Sequence, residues 1–378
     1  MKSVYIFSAG KRGRDLLALL KRLEIADVIA FIDNNIEKQG TMIDGKRCIS
    51  VEDAAEEGGK NEWIIVAMAN YEEPEQQLKK YGFRHVFCWA KMLPSPSYCF
   101  PVPLEPSDYN NVCPFNNYES PYPDLKEIHR KERDLFDNKK DVLDIDFNVS
   151  GQLSLLKRME TLEVPQWSDK NTGEYRYNYE NRWFEKGSAH ALCYMIQIVK
   201  PKKIIEIGSG YSTAVMLDTN ENYFDNKIKI ISVEPRCARL KSLLKPTDNL
   251  NIVESDIQEI PVKFFEELKE NDILFVDSSH VSKIGSDVNY IFFEILPRLN
   301  KGVYIHFHDM KYPFIYPKEW IYEGRAYNEM YLVRAFLMNN TDYSVQLFGS
   351  MWDEEHYEKI ADKLRGVGTG SLWIKKEK

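Results

Sequence analysis

Apolar residues recur along this chain in two alternating rhythms. Short apolar runs that read as strands are separated by stretches whose apolar side chains fall at helical spacing. Near the start, VYIFSAG reads as a strand closing on small residues and RDLLALLKRL as an amphipathic helix. DVIAFIDNN and EWIIVAMAN follow as strands, QQLKKYG as a helix stopped by glycine, and HVFCWA as a last short strand. Such alternation predicts a parallel sheet with helices on its faces. The rhythm returns from Lys202 in KKIIEIG, IKIISVEP, LNIVES, DILFVDSS and GVYIHFHD, each followed by a helical or loop stretch. DYSVQLFG and GSLWIKK close the chain as two strands suited to an antiparallel edge. Between the two series, residues 94–124 hold many prolines and no periodicity, which predicts a linker or an extended wrapping segment. A charged helix from Leu125 to Asp137, a second from Gln152 to Leu162 and a third from Ser188 to Val199 lead into the second series. The expected fold is α/β: one doubly wound domain over 1–93, the proline-rich linker, and a larger doubly wound domain over 125–378 with a helical extension at its start.

Composition narrows the class. Of 378 residues 43% are hydrophobic and 29% charged, enough apolar material for two or three buried cores and unlike a collagen, a mucin or a disordered chain. The formal net charge of −8 argues against nucleic acid as a partner. No apolar run reaches bilayer length, so no membrane insertion is expected. The first strand begins at once, with Lys11, Arg12 and Arg14 close behind, so no signal peptide is expected. Six cysteines without a close pair read as reduced thiols. Together these features predict a cytoplasmic protein and leave its oligomeric state open, a homo-oligomer included.

The chemistry gathers at strand ends. In open α/β sheets ligands bind beyond the carboxyl ends of the strands. Each strand of the second series ends in a polar or acidic group: Glu206 with Gly208, Ser209 and Gly210, then Glu234, Asp256 followed by Ile257, Asp277, and His308 with Asp309. The glycines of EIGSGYST let a backbone approach a ligand closely, but the third glycine of a dinucleotide fingerprint is replaced by Thr213. An ionised carboxylate at the end of the second strand accepts from both hydroxyls of a ribose, and one a strand further can accept from an adenine amine. His306 and His308 alternate with Phe307 and so share a face. His306 reads as a packed core residue. Asp277, His308 and Asp309 can together hold a divalent cation, and His280 can take a proton from a substrate hydroxyl.

The ordered motifs EIGSG, VEP, SDI and FVDSSH resemble those of class I S-adenosylmethionine-dependent methyltransferases, over roughly residues 180–375. The resemblance implies a Rossmann-like domain with a seven-stranded sheet and an antiparallel edge, and S-adenosylmethionine as cofactor. It places Glu206, Gly208, Ser209 and Gly210 around the methionine part, Glu234 at the ribose, and Asp256 with Ile257 at the adenine. The layout around Asp277 is further similar to metal-dependent sugar O-methyltransferases. That likeness implies Asp277 and His280 as catalytic residues and Mg²⁺ or Mn²⁺ at Asp277, His308 and Asp309. His308 stands where that group has an acidic ligand, which shifts the preference toward an imidazole-tolerant metal. Tyr175 to Phe184 and the loop KYPFIYPKEWIYEGRAYNE are the expected selectors of a sugar or nucleotide-sugar substrate.

In the first series FSAGKRGRD, with Asp33 in FIDNN, resembles the Rossmann-like N-terminal domain of bacterial acetyltransferases acting on nucleotide-linked amino sugars. The leading expectation is O-methylation of a sugar or glycan precursor. Two others stand beside it: a nucleotide-sugar-binding or scaffold protein with a non-catalytic methyltransferase fold, and methyl transfer to nitrogen or a small aromatic hydroxyl.

Overall fold

The computed structural model describes residues 2–23, 26–68, 71–88, 120–136, 141–248 and 250–378. The chain divides into two compact units, Met1–Cys113 and Pro114–Lys378. Most of the proline-rich segment 94–124 lies outside the described residues. Among those described, no helix is long and apolar enough to cross a membrane.

The first unit is a six-stranded sheet in the order β3-β4-β2-β1-β5-β6. Its strands are β1 (Lys2–Phe7), β2 (Ala26–Ile32), β3 (Met42–Ile43), β4 (Lys46–Ile49), β5 (Trp63–Val66) and β6 (His85–Cys88). Helices α1 (Lys11–Leu23), α2 (Val51–Glu56) and α3 (Glu72–Lys80) connect them. The four longer apolar runs of the sequence appear as β1, β2, β5 and β6. The hairpin β3–β4 and helix α2 are additions that the apolar rhythm did not announce. Val4, Ile6, Val28 and Phe31 pack with Leu16, Leu17 and Leu20 of α1 in one core cluster, while Tyr5, Phe7, Ala30 and Ile64 belong to another. In β1 that division is the strand period of two, and in β2 it is reset by a register shift opposite Val4–Ile6.

The second unit is a seven-stranded sheet in the order β12-β13-β11-β10-β7-β8-β9. Its strands are β7 (Lys203–Ile207), β8 (Lys229–Val233), β9 (Asn251–Val253), β10 (Ile273–Val276), β11 (Tyr304–His308), β12 (Tyr343–Phe348) and β13 (Ser371–Lys376). β7 to β11 pair in parallel, and β13 runs antiparallel to both β11 and β12. The expected α/β class, with an antiparallel edge on a methyltransferase-like sheet, is therefore the observed one. The charged helix expected over Leu125 to Asp137 is two short turns, Leu125–Arg130 and Glu132–Leu135. Helices α4 (Val149–Met159), α5 (Lys186–Val199) and α6 (Tyr211–Phe224) follow, the last two close neighbours of β7 in sequence. α5 is apolar nearly all round, with Ala189, Leu192, Cys193, Met195 and Ile196 buried, so it is covered on most sides. Because β7, β8, β9, β10 and β11 point the same way, their acidic termini meet at one sheet edge.

Candidate functional site

The turn after β7 is built from beneath. Glu206 is wholly buried, and its carboxylate accepts hydrogen bonds from the hydroxyls of Ser212, Thr213 and Ser232, each at 2.6 Å. Desolvation lifts its pKa to about 7 against the pull of those three donors. Thr213 also accepts the Gly210 N–H at 3.1 Å, so the residue that replaces a third glycine fastens the start of α6 to the turn. Glu206 thus lies under the loop with its oxygens engaged. Its bonds to Ser212 and Thr213 shape the glycine turn that is expected to surround a methionine group.

Above it, Gly208 has φ +77°, and a Cβ there would press into the Asp277 backbone carbonyl. Only glycine reconciles that conformation with that approach. Ser209 donates its N–H to a Glu234 carboxylate oxygen at 3.2 Å, while its buried hydroxyl has no partner. The other Glu234 oxygen accepts the Arg236 N–H at 2.7 Å. Gly208, Ser209, Gly210 and Glu234 are therefore brought together. Asp256 is exposed at the end of β9 and Ile257 is buried beside it. Arg239 is a rim residue that the sequence motifs did not mark. Its side chain lies against the open side of Gly210, and its guanidinium stacks 4.1 Å from the Trp183 ring centre.

The second constellation forms around His280. Its Nε2 stands 3.4 Å from Asp277 and 3.5 Å from Asp309, and its Nδ1 is 2.8 Å from Glu329. Burial disfavours the imidazolium, but the facing carboxylates of Asp277, Glu329 and Asp309 outweigh it. The ring's pKa is raised well above its ordinary value. Asp277 moves the other way: desolvation raises it, but the facing imidazoles of His308 and His280 bring it to about 2. His308 is buried, 3.8 Å from Asp309 through Nε2, with Nδ1 unpartnered. His306 stacks on Phe275 and bonds Ser371 at 3.1 Å, a core histidine as its pattern suggests.

Asp277 and Asp309, expected with His308 to hold a cation, both face the His280 imidazole. Among the described residues no group of His, Cys, Asp or Glu converges as metal ligands do.

Glu329 is the functional candidate that strand-end reasoning missed. It is the last residue of the loop KYPFIYPKEWIYEGRAYNE and begins helix α7 (Glu329–Leu337), so its link to His280 is made only by tertiary folding. That loop also brings Tyr327 within 5.0 Å of the His280 ring, backed by Trp320 and Tyr316. In the first unit Asp33 accepts the N–H groups of Ala9 and Asn35 and an ion pair from Lys38. Arg14 pairs with Asp44. Both are engaged within the protein, and Lys11 and Arg12 are exposed.

Comparison with known proteins fits this geometry. Residues 205–310 match the family described as "Methyltransferase domain". An uncharacterized protein of Archaeoglobus fulgidus is 31% identical over 173 residues, which span 44% of this chain and 78% of that one. Among solved structures, the S-adenosylhomocysteine-bound methyltransferase PaMTH1 of Podospora anserina is 15% identical, covering 71% of this chain and 99% of its own, with a TM-score of 0.35. The plantazolicin methyltransferase BpumL, solved with S-adenosylhomocysteine, is 15% identical over 60% of this chain and 95% of its own, with a TM-score of 0.34. Both scores are too low for chemistry to be carried across. The sequence match is closer: the chain belongs to one family with the archaeal protein, and its second unit carries a methyltransferase domain.

Proposed function

We propose that the second unit transfers a methyl group from S-adenosylmethionine to a hydroxyl of a sugar-like acceptor. The observation that carries the reading is Glu234, poised at the end of β8 against the Gly208–Gly210 turn, beside a buried Ser209 hydroxyl with no partner in the protein. A carboxylate in that position suits a ribose, and a turn without side chains suits a close-lying chain of ligand atoms. Asp256, exposed one strand further along, suits an adenine amine.

When bound, the cofactor supplies a methyl carbon made electrophilic by its sulfonium. The protein holds an acceptor oxygen in line with that carbon and removes its proton. Nε2 of His280 would accept the hydroxyl proton as the acceptor oxygen takes up the methyl group, leaving the oxygen's charge neutralised. The neutral ring does this work, so the imidazolium favoured by the facing carboxylates first gives up its own proton. Tyr327, half-buried beside His280, and Trp320 behind it offer flat surfaces for a sugar face. For residues 1–93 the nucleotide-sugar reading is retained as a second proposal. It rests on the turn before α1 and the exposed Lys11 and Arg12, and titration with a uridine diphosphate sugar tests it.

Calorimetric titration with S-adenosylhomocysteine, with and without EDTA, is the experiment for the main reading. Saturable one-to-one binding in both conditions is expected, and Glu234→Ala should weaken it by about tenfold or more, roughly the worth of a charge-assisted hydrogen bond. Absence of binding by the native chain overturns the reading in favour of a non-catalytic fold. Loss of binding with EDTA alone would support a cation at Asp277 and Asp309.

A further inference from the structure

His280 is held more elaborately than a surface histidine needs. Its backbone takes φ +61°, a conformation unusual for a residue with a side chain. Its carbonyl accepts the N–H groups of both Asn328, at 3.0 Å, and Glu329, at 3.2 Å. Two residues on, the Ser282 N–H donates to the Asn328 side chain at 2.6 Å, and Asn328 returns a bond to the Ser282 carbonyl. The Ser278 hydroxyl donates to one oxygen of Glu329 at 2.8 Å, and the His280 ring meets the other at 2.8 Å. Two segments far apart in the chain are thus stitched together around one imidazole.

Glu329 is only 1% exposed. A buried carboxylate is costly unless its oxygens find donors, and here the donors are Ser278 and the imidazole. We infer that Glu329 is a positioning residue, which fixes His280 in the tautomer protonated at Nδ1 and so turns a bare Nε2 toward the acceptor. The inference rests on the methyl-transfer reading for its purpose, though not for its geometry.

Distances decide between the two tautomers. A proton on Nδ1 makes one 2.8 Å bond to a carboxylate that has no other use for that oxygen. A proton on Nε2 would face Asp277 at 3.4 Å and Asp309 at 3.5 Å, outside good hydrogen-bond range for both, and would leave Glu329 facing a lone pair. A charged acceptor at 2.8 Å outweighs two contacts of that length. The neutral ring therefore keeps its hydrogen on the buried side. The same choice makes Nε2 an acceptor, which is what a base needs, since the tautomer of a histidine is set by the bond its other nitrogen makes.

Nitrogen-15 NMR of the full chain labelled at histidine tests this, with the His280 signals identified by their loss in His280→Gln. At alkaline pH, where the ring is neutral, the native protein should show a protonated Nδ1 and a bare Nε2. Glu329→Gln keeps a carbonyl acceptor and should keep that pattern. Glu329→Met removes the acceptor at similar volume and should move the proton to Nε2, toward Asp277 and Asp309. Unchanged affinity for S-adenosylhomocysteine in the variants shows that the fold around Glu234 survives, a result that a merely structural Glu329 would not combine with a switched tautomer. A native ring protonated at Nε2, or a Glu329→Met ring still protonated at Nδ1, overturns the inference. Should Glu329→Met fail to fold, the native and Glu329→Gln spectra decide it. Failure of the native chain to bind S-adenosylhomocysteine strikes the methyl-transfer reading alone and leaves the tautomer result standing.

Discussion

Gly208 carries a conformational demand and a packing demand at once, and a single methyl group offends both. Gly208→Ala would place a Cβ at φ +77° against the Asp277 carbonyl, where the opposing atom is backbone and has little room to yield. Strain of this kind costs about 1–3 kcal/mol per residue before any clash is counted. The variant should unfold at clearly lower urea concentration and lose S-adenosylhomocysteine affinity, since the displaced strand end carries Asp277. His190 offers a contrasting single-residue test. Burial, then the nearby cations Lys186 and Lys363, bring its pKa down to about 4. The folded ring therefore resists a proton that the unfolded ring accepts from about pH 6.5 downward. Its contribution to stability is whole above that pH and is lost as pH falls toward 4. His306, whose pKa is also lowered by burial and by His308, acts in the same sense. Melting temperatures measured across this window should fall with acid, and His190→Gln should flatten part of the slope. An unchanged slope would mean that other groups dominate.

At the scale of elements, the aromatic stretch before α5 owes its placement to Arg176. That guanidinium pairs with Asp218 on α6, with Glu221 one turn on, and with Asp248 beyond β8. Burial raises the pKa of Asp248, but the bonds from Arg176 outweigh this and the net shift is downward. Asp218, more deeply buried, ends above its ordinary value despite the same partner. Arg176→Met would strand two buried carboxylates, a change that typically costs about 3–5 kcal/mol. It should lower the unfolding midpoint steeply and loosen Trp183, whose fluorescence reports the rim beside Arg239. Strand β10 was legible in the sequence because both faces are covered and its apolar run, ILFV, is continuous. The hairpin β3–β4 was not, since strands this short have no period to detect. Its signal was the Asp44-Gly45 pair, both at positive φ, the chemistry of a tight hairpin turn. Likewise the stretch after β9 folds as short 3₁₀ turns, Ile257–Glu259 and Val262–Glu267, where apolar spacing alone distinguishes little.

Over the whole molecule, the two halves of the candidate site differ in how they are encoded. Glu234 and Asp256 follow their strands directly, so order along the chain becomes order along the sheet edge. Glu329 reaches His280 only after the loop beyond β11 has folded back, and no local pattern records that contact. The burial of Glu206 is equally silent in sequence: the same EIGSG motif serves whether the carboxylate faces a ligand or three hydroxyls. Each unit nevertheless has its own core. The largest apolar cluster draws only on residues from Leu156 to Ile374, and the two smaller ones only on residues from Val4 to Cys88. Every residue assigned here to cofactor and acceptor also falls within Pro114–Lys378. A fragment spanning 114–378 should therefore fold and bind S-adenosylhomocysteine within about threefold of the full chain, a difference under 1 kcal/mol. Circular dichroism establishes the folding and calorimetry the affinity. A fragment that folds yet binds far more weakly would show that residues 1–113 contribute to the cofactor site, and would move the first unit from a separate binding module into the catalytic one.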